Sequence, residues 1–250
     1  SRLAQKNIGY GGSWKAEWND RFQTEINGYF SKYNIDASDY RVENDQLLTE
    51  ANEVLETGIK INSNYKINNS LTILNGYQLT ETGMLNQTTV RNPAFSSTIK
   101  NVLVNQALFS EMEFIKNRTF LRAGVRLNYF QKFDKFLIEP RINIRQKISE
   151  LLALKLEGEY KNQTATQIVD FEDDFLGVEK RRWVLVDNQS IPIAISKQAS
   201  FGVELTKNKV NFDLTGFYKF VNGITASNQG FYNNFQYASA NGSYTAKGVE

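Results

Sequence analysis

Apolar and polar residues alternate one by one over long stretches of this sequence, and FLRAGVRLNYF (residues 120–130) is a clear example. Because successive side chains of a strand point to opposite faces, this period of two predicts an extended β-strand. One face of that strand carries Leu121, Ala123, Val125, Leu127 and Tyr129, and the other carries Arg122, Gly124, Arg126 and Asn128. Such strands require a β-sheet fold.

The same alternation recurs from SWKAEW near the start to VNFDLTGFYKF near residue 220, while helical periodicity is scarce. We count roughly eleven strands, a number of the order found in large membrane barrels. The runs 98–115, 118–131 and 152–166 exceed the ~5–6 residues usual in globular strands. They reach the ~9–11 residues that a tilted strand needs to cross a bilayer. The pattern predicts an all-β, antiparallel, up-and-down transmembrane barrel, present in part.

The connections between the predicted strands alternate in length. Tight polar turns fall at Asn19-Asp20, Lys66 to Ser70, Lys116-Asn117, Ser149-Glu150 and Lys207 to Lys209. Longer, irregular links fall at 34–50, 84–97, 167–196 and 222–239, with one short exception at 131–135. This rhythm places the tight turns at one end of a meander and the long loops at the other, as in outer-membrane barrels.

Dense mixed charge on the polar faces does not by itself decide between a lumen and a solvated exterior, since a soluble barrel also has a polar face. Aromatic residues discriminate better. They crowd the strand ends at Trp14 and Trp18 and at Tyr129-Phe130, Phe133 and Phe136, as interfacial girdles do. We therefore expect the apolar faces to meet lipid and the charged faces to line a lumen.

Composition argues against an enzyme. Histidine and cysteine are both absent, which removes the commonest general base, thiolate catalysis and the commonest transition-metal ligands. Lysine and arginine (29) nearly balance aspartate and glutamate (27), so nothing points to nucleic acid. The acidic run Asp170 to Asp174 matches no calcium-loop spacing and is interpreted as solvated. We predict no cofactor and no metal.

Downstream motifs resemble a known family. Glu139-Pro140-Arg141 lies inside a predicted strand that is followed by a tight turn and another long strand. WVLVDNQSIPIAISKQASFGVEL then leads from an aromatic-rich loop to a Gly-x-Glu strand, and ANGSYTAKGVE resembles the opening of a later one. Together these motifs, within 118–250, resemble the C-terminal half of TonB-dependent outer-membrane transporters of the Bacteroidota type. Residues 1–117 fit by pattern only.

The resemblance implies a 22-stranded barrel in the Gram-negative outer membrane, with its lumen closed by an N-terminal plug. Residues 1–250 would be a middle portion of the barrel that lacks the plug and the final strands. The implied partners are outer-membrane lipid and lipopolysaccharide, TonB through a plug segment, and either a SusD-like surface lipoprotein or other outer-membrane complex subunits. The implied function is active uptake of a siderophore, glycan, peptide or cobalamin.

Two loops supply candidate substrate contacts. Arg181, Arg182 and Trp183 could bind an anionic or sugar ligand, and they could equally be cations and an interfacial ring near lipopolysaccharide. In the second loop, amides and rings suit saccharide or peptide contact, although an ordinary surface loop is favoured there. Its candidate residues are Phe231, Tyr232, Asn233 and Asn234.

The strand charges form a separate candidate set, which we expect to face the lumen or the plug. It comprises Arg122, Arg126, Glu139, Arg141 and Arg145. A ladder of cross-strand ion pairs, or contact with a plug, is favoured over substrate contact for these residues.

Two other functions stay open. A transporter-like barrel could serve as a structural subunit of a secretion or protein-insertion machine, which would reveal itself by stable partners. A soluble secreted β protein, such as an adhesin or a lectin, would stay in the aqueous phase without detergent.

Overall fold

The computed structural model describes residues 2–170, 180–189, 191–207, 210–228 and 238–250. Thirteen strands follow in chain order: β1 (Arg2–Asn19), β2 (Phe22–Arg41), β3 (Gln46–Asn68), β4 (Leu71–Val90), β5 (Phe95–Lys116), β6 (Thr119–Phe130), β7 (Lys135–Lys147), β8 (Leu152–Gln163), β9 (Ala165–Asp170), β10 (Lys180–Leu185), β11 (Ala194–Lys207), β12 (Val210–Asn228) and β13 (Ala238–Val249). Short 3-10 helices occupy Val42–Asn44 and Gln131–Phe133. Within these ranges no helix has both the length and the apolarity that a membrane crossing requires.

Eleven strands form one antiparallel sheet in the order β1-β2-β3-β4-β5-β6-β7-β8-β11-β12-β13. Each strand pairs with the next in sequence, except that β8 pairs with β11 because the β9–β10 hairpin is inserted between them. The predicted all-β antiparallel meander of about eleven strands is therefore confirmed. The hairpin forms a two-stranded sheet of its own.

Directly paired residues share a face, so the register assigns every side chain of the sheet to one of two faces. Arg126 pairs with Phe109 on β5 and with Glu139 on β7, and these side chains define the polar face. Val125 pairs with Ser110 and Pro140 on the opposite, apolar face. Apolar side chains are exposed on that face in every strand of the sheet except β4, from Trp14 and Trp18 in β1 to Val249 in β13.

The exposed apolar residues form a band of defined height. On β11 the apolar face reads Lys197, Ala199, Phe201, Val203, Leu205 and Lys207. The ten residue-to-residue steps from Lys197 to Lys207 rise about 33 Å, or roughly 23 Å across a bilayer at a ~45° tilt. On β2 and β3 the band stops where Lys32 pairs with Glu53 at 2.8 Å. This height matches the ~25 Å lipid-facing band of outer-membrane barrels.

At one end of the sheet, the turn end, tight turns are closed by short side chains. Asn19 Oδ1 accepts hydrogen bonds from the amides of Arg21 and Phe22, both at 2.9 Å. Ser149 Oγ accepts from the amides of Leu151 and Leu152 at 3.2 and 3.1 Å. Side-chain acceptors of this kind stabilise tight turns by satisfying amides that the sheet leaves unpaired. These turns lie where the sequence predicts them.

At the opposite end of the sheet, the loop end, the strands are longer than the sequence predicts. Residues 34–50 and 84–97 were expected to be irregular links, but β2 to β5 run through them and only 42–45 and 91–94 connect the strands. The expectation was wrong because these segments are polar on both faces, which is typical of loops. Here pairing with the neighbouring strand satisfies the backbone, and β3 reaches 23 residues. The strands therefore extend well beyond the apolar band.

A hydrophobic cluster lies on the polar face near the loop end. Its fully buried members are Met84, Leu103, Phe130, Leu185, Val186 and Ile193. The first three belong to the sheet, whereas Leu185 ends the β9–β10 hairpin and Val186 and Ile193 follow it. The cluster therefore joins the hairpin and its exit to the polar face of the sheet.

Candidate functional site

The polar face between the turn end and the hydrophobic cluster carries a continuous network of charges, which we call the charged ladder. Its members on β5 to β12 are Glu111, Glu113, Arg122, Arg126, Glu139, Arg141, Arg145, Lys155, Glu157, Glu159, Lys161, Glu204, Asp213 and Lys219. Positive and negative charges are interleaved along it. The ladder contains all five strand charges that the sequence singles out, and the register puts them on one face.

Glu111 is the most enclosed carboxylate near the turn end of the ladder. Arg122 donates to Glu111 Oε1 from Nε and Nη2, both at 2.5 Å, and Arg141 Nη1 lies 4.0 Å from Oε2. Gly124 makes room for this arrangement, because a Cβ there would come within 3.0 Å of Glu111 Cβ and Cγ. Glu111 thereby links Arg122 and Arg141 across β5, β6 and β7.

Arg126 and Glu139 hold the middle of the ladder. Arg126 Nε donates to Asn128 Oδ1 at 2.9 Å and Nη2 donates to Gln78 Oε1 at 3.0 Å, while Glu139 lies 3.8 Å away. Glu139 Oε1 accepts from the backbone amide and from Nδ2 of Asn162, at 2.8 and 2.5 Å. Because the charged groups of Arg126 and Glu139 have these hydrogen-bond partners, most of their charge is compensated within the polar face.

Closer to the turn end, ion pairs reach over an intervening strand. Arg145 on β7 donates to both carboxylate oxygens of Glu204 on β11, at 2.9 and 2.7 Å. Lys155 on β8 pairs with Asp213 on β12. Strands two apart lie about 9.6 Å from each other, so both pairs need long side chains that converge on the polar face.

Two aromatic rings cover glycines on the same face. Phe109 lies over Gly76, where a Cβ would come 2.2 Å from its Cζ, and Tyr29 lies over Gly58, where a Cβ would come 2.5 Å from the ring. Lys60 Nζ and Arg126 Cζ stand 5.4 and 5.8 Å from the Phe109 centroid. Phe109 is thus an aromatic surface flanked by two cations within the polar face.

The β9–β10 hairpin is held to the sheet by the backbone of Trp183. Its carbonyl oxygen accepts from Nδ2 of Asn86 at 3.3 Å and of Asn52 at 3.4 Å, and its amide lies 3.4 Å from Asn52 Oδ1. Asn52 also donates to Asn86 Oδ1 at 2.7 Å. We call this group of three residues the asparagine latch. It fastens the hairpin over the polar face of β3 and β4.

The structure describes only part of the loop candidates. Trp183 packs its ring against the hydrophobic cluster. Arg181 and Arg182 lie in β10, but their side chains are outside the described residues, as are Phe231, Tyr232, Asn233 and Asn234 altogether. Sequence reasoning missed Asn52, Asn86 and Phe109. The sequence did contain one signal of a covered region on the polar face. Val54, Met84, Leu103 and Phe130 are apolar residues at positions that the alternation assigns to that face.

The described residues contain no group of three or more acidic or other metal-ligating side chains that could bind a metal ion. Most carboxylates of the charged ladder instead pair with arginine, lysine and amide groups. The arrangement can bind polar surfaces and charged solutes through these groups.

Comparison with known proteins identifies the fold. No protein-family model matches the sequence, and no curated protein sequence matches it. The ferric citrate transporter FecA superposes with a TM-score of 0.70 at 10% identity, covering 99% of this chain and 38% of that one. The RagAB peptide transporter gives 0.68 at 12% identity, covering 99% and 33%. The ferric enterobactin receptor PfeA from Pseudomonas aeruginosa gives 0.67 at 12% identity, covering 99% and 40%.

These neighbours are transporters and receptors with the barrel fold of TonB-dependent proteins, so the predicted fold is confirmed as part of such a barrel. The chain spans between 33% and 40% of the length of these three solved chains.

Proposed function

We propose that the chain is a wall segment of a TonB-dependent transporter that takes up a nutrient across the Gram-negative outer membrane. The observation that carries the proposal is the contrast between the two faces of one sheet. An apolar band about as tall as an outer-membrane hydrocarbon core lies on one face, and a charged ladder lies on the other. Such a sheet suits a wall between lipid and an aqueous lumen.

On this proposal, residues 1–250 provide eleven strands of the barrel, and the plug and the remaining strands lie elsewhere in the protein. β1 and β13 each pair with only one strand in the described part of the chain. Unpaired strand edges are not tolerated in lipid, where no water satisfies the backbone. Closure by further strands of the same barrel satisfies both edges.

The hairpin and the hydrophobic cluster support an assignment of the loop end to the cell surface. A segment fastened across the polar face narrows the lumen at that end, and the turn end is left with tight turns. Outer-membrane barrels have short turns on the periplasmic side and longer connections outside. The nutrient would enter past the hairpin, and TonB would act through the plug from the other side.

The charged ladder supports solute passage or plug contact rather than catalysis. Among the described residues, every carboxylate of the ladder except Glu113 is engaged by an arginine, lysine or amide group. The ladder therefore does not present the two free carboxyl groups that glycoside hydrolysis requires. The neighbours are named for ferric citrate, peptide and ferric enterobactin. The substrate classes that fit are a siderophore, a peptide, a glycan or a cobalamin.

The test is purification of the full-length protein from detergent-solubilised outer membranes, with mass spectrometry of everything retained. Nutrient uptake predicts a bound small molecule, with the transporter alone or with one surface lipoprotein of the SusD type. A TonB deletion should then abolish accumulation of that molecule. Several stoichiometric secretion or insertion factors and no small molecule would instead identify a structural subunit. Recovery in the aqueous fraction would contradict both.

A further inference from the structure

The apolar face is interrupted by a groove of about 600 Å³ across β7, β8 and β11. It forms where small side chains are neighbours in adjacent strands, since Gly158 pairs with Ala199. Pro140, two positions before Ile142 on the same face of β7, also lines the groove. Ile142 and Tyr218 flank the two small residues on either side.

One cation stands at the rim of the groove. Lys197 lies between Tyr160 and Phe220 in the register, is exposed, and has its Nζ 5.6 Å from the Tyr160 ring centroid. The residues that the structure describes give it no acidic partner. Lys247, the register partner of Tyr218, puts a second exposed ammonium group on the same face.

Lys197 lies at the edge of the apolar band that faces the loop end of the sheet. Below it on β11 follow Ala199, Phe201 and the remaining apolar positions. An unpaired lysine facing lipid is costly unless its ammonium group reaches the headgroups, which a position at the edge allows. The groove therefore starts at headgroup level and extends into the hydrocarbon.

We infer that this groove binds an acyl chain of an anionic, phosphate-bearing lipid, with the phosphate held by Lys197. The inference rests on the proposed outer-membrane location of the barrel. The apolar walls of the groove suit the acyl chain. The ammonium group of Lys197, which has no acidic partner among the described residues, suits the phosphate, because basic side chains near a membrane surface attract anionic lipid headgroups. β7, β8 and β11 are all paired on both sides, so the groove offers no backbone hydrogen bonds to a protein strand.

The experiment uses the full-length protein extracted from outer membranes into mixed micelles. These contain equal amounts of phosphatidylglycerol and phosphatidylcholine with the same acyl chains, and native mass spectrometry counts the lipid that stays bound. Ala199→Leu fills the groove, and Lys197→Ala removes the rim charge. The controls are Ala16→Leu, a small residue of the apolar face on β1, and Lys207→Ala, the lysine at the other edge of the band on β11.

We expect the unsubstituted protein to retain phosphatidylglycerol in preference to phosphatidylcholine. Lys197→Ala should lower bound phosphatidylglycerol about five-fold, as expected for loss of one interfacial cation, and should leave phosphatidylcholine unchanged. Ala199→Leu should lower both lipids. The two control variants should behave as the unsubstituted protein does.

Equal retention by Ala199→Leu and the unsubstituted protein would overturn the inference, and so would retention without preference for the anionic lipid. A protein bound on this face in place of lipid would overturn it as well. These outcomes are distinct from failure of the proposed function, in which the protein would not be recovered with outer membranes at all.

Discussion

Arg145 and Glu204 form a two-point ion pair over the strand that separates them, with Nε and Nη2 of the arginine 2.9 and 2.7 Å from the two carboxylate oxygens. β7 and β11 are not neighbours, and β8 runs between them. The pair therefore fastens three strands together on the polar face. Arginine suits this role because its planar fork matches a carboxylate at both oxygens.

Removing either partner should destabilise the barrel by about 1 kcal/mol, because both side chains are partly exposed and water screens the remaining charge. The measurement is the midpoint temperature of thermal unfolding of the full-length protein. It is read from the loss of the band of folded protein when heated samples are run on gels without further heating. A double-mutant cycle with Arg145→Ala and Glu204→Ala should show that the effects are not additive. Strict additivity would mean that the ion pair contributes nothing.

The asparagine latch should control the order of the β9–β10 hairpin. Asn52→Ala removes hydrogen bonds to the Trp183 backbone and to Asn86, and we expect faster amide hydrogen exchange from Trp183 to Val186. The matched control is Asn62→Ala, an asparagine on the same strand and the same face that lies away from the hairpin. Exchange that is unchanged in Asn52→Ala would show that the hydrophobic cluster alone fastens the hairpin.

Gly76 should be intolerant of any side chain. A Cβ there would come 2.2 Å from Phe109 Cζ and 2.8 Å from the carbonyl oxygen of Ile61, so Gly76→Ala forces the ring or the backbone to move. We expect a loss of about 1–3 kcal/mol in unfolding free energy. Gly28→Ala is the control, since nothing lies within 4 Å of its Cβ.

The added substitution Phe109→Ala tests the cause of that loss. Removing the ring should recover part of the stability in the Gly76→Ala background, because the closer of the two contacts, the one with Phe109, disappears. If Gly76→Ala and Gly28→Ala have the same unfolding midpoint, the close approach of Phe109 is not a constraint.

Period-two alternation was sufficient to predict the strand number of the main sheet, the tight turns and the segregation of residues such as Val125 and Arg126 to opposite faces. It did not predict the β9–β10 hairpin, which lies largely within the expected irregular link 167–196. It failed for 34–50 and 84–97, where both faces are polar and only pairing with a neighbour makes a strand. Period-two patterns carry no register, so they could not show that Asn52 and Asn86 meet Trp183, which lies 131 and 97 residues away in sequence. The groove near Gly158 also depends on register, since small residues form a groove only when they are neighbours across strands.

The central claim is that one face of this sheet meets lipid and the other meets water, and Val125 and Arg141 test it most directly. They lie on adjacent strands and opposite faces, and they are similarly exposed, at 46% for Val125 and 48% for the Arg141 side chain. Because the chain has no cysteine, Val125→Cys and Arg141→Cys in the full-length protein each introduce one thiol into this segment. Both would be treated with a water-soluble maleimide in intact outer membranes. Our account predicts labelling at position 141 and none at position 125 until the membrane is dissolved; labelling at 125 without labelling at 141 would contradict it.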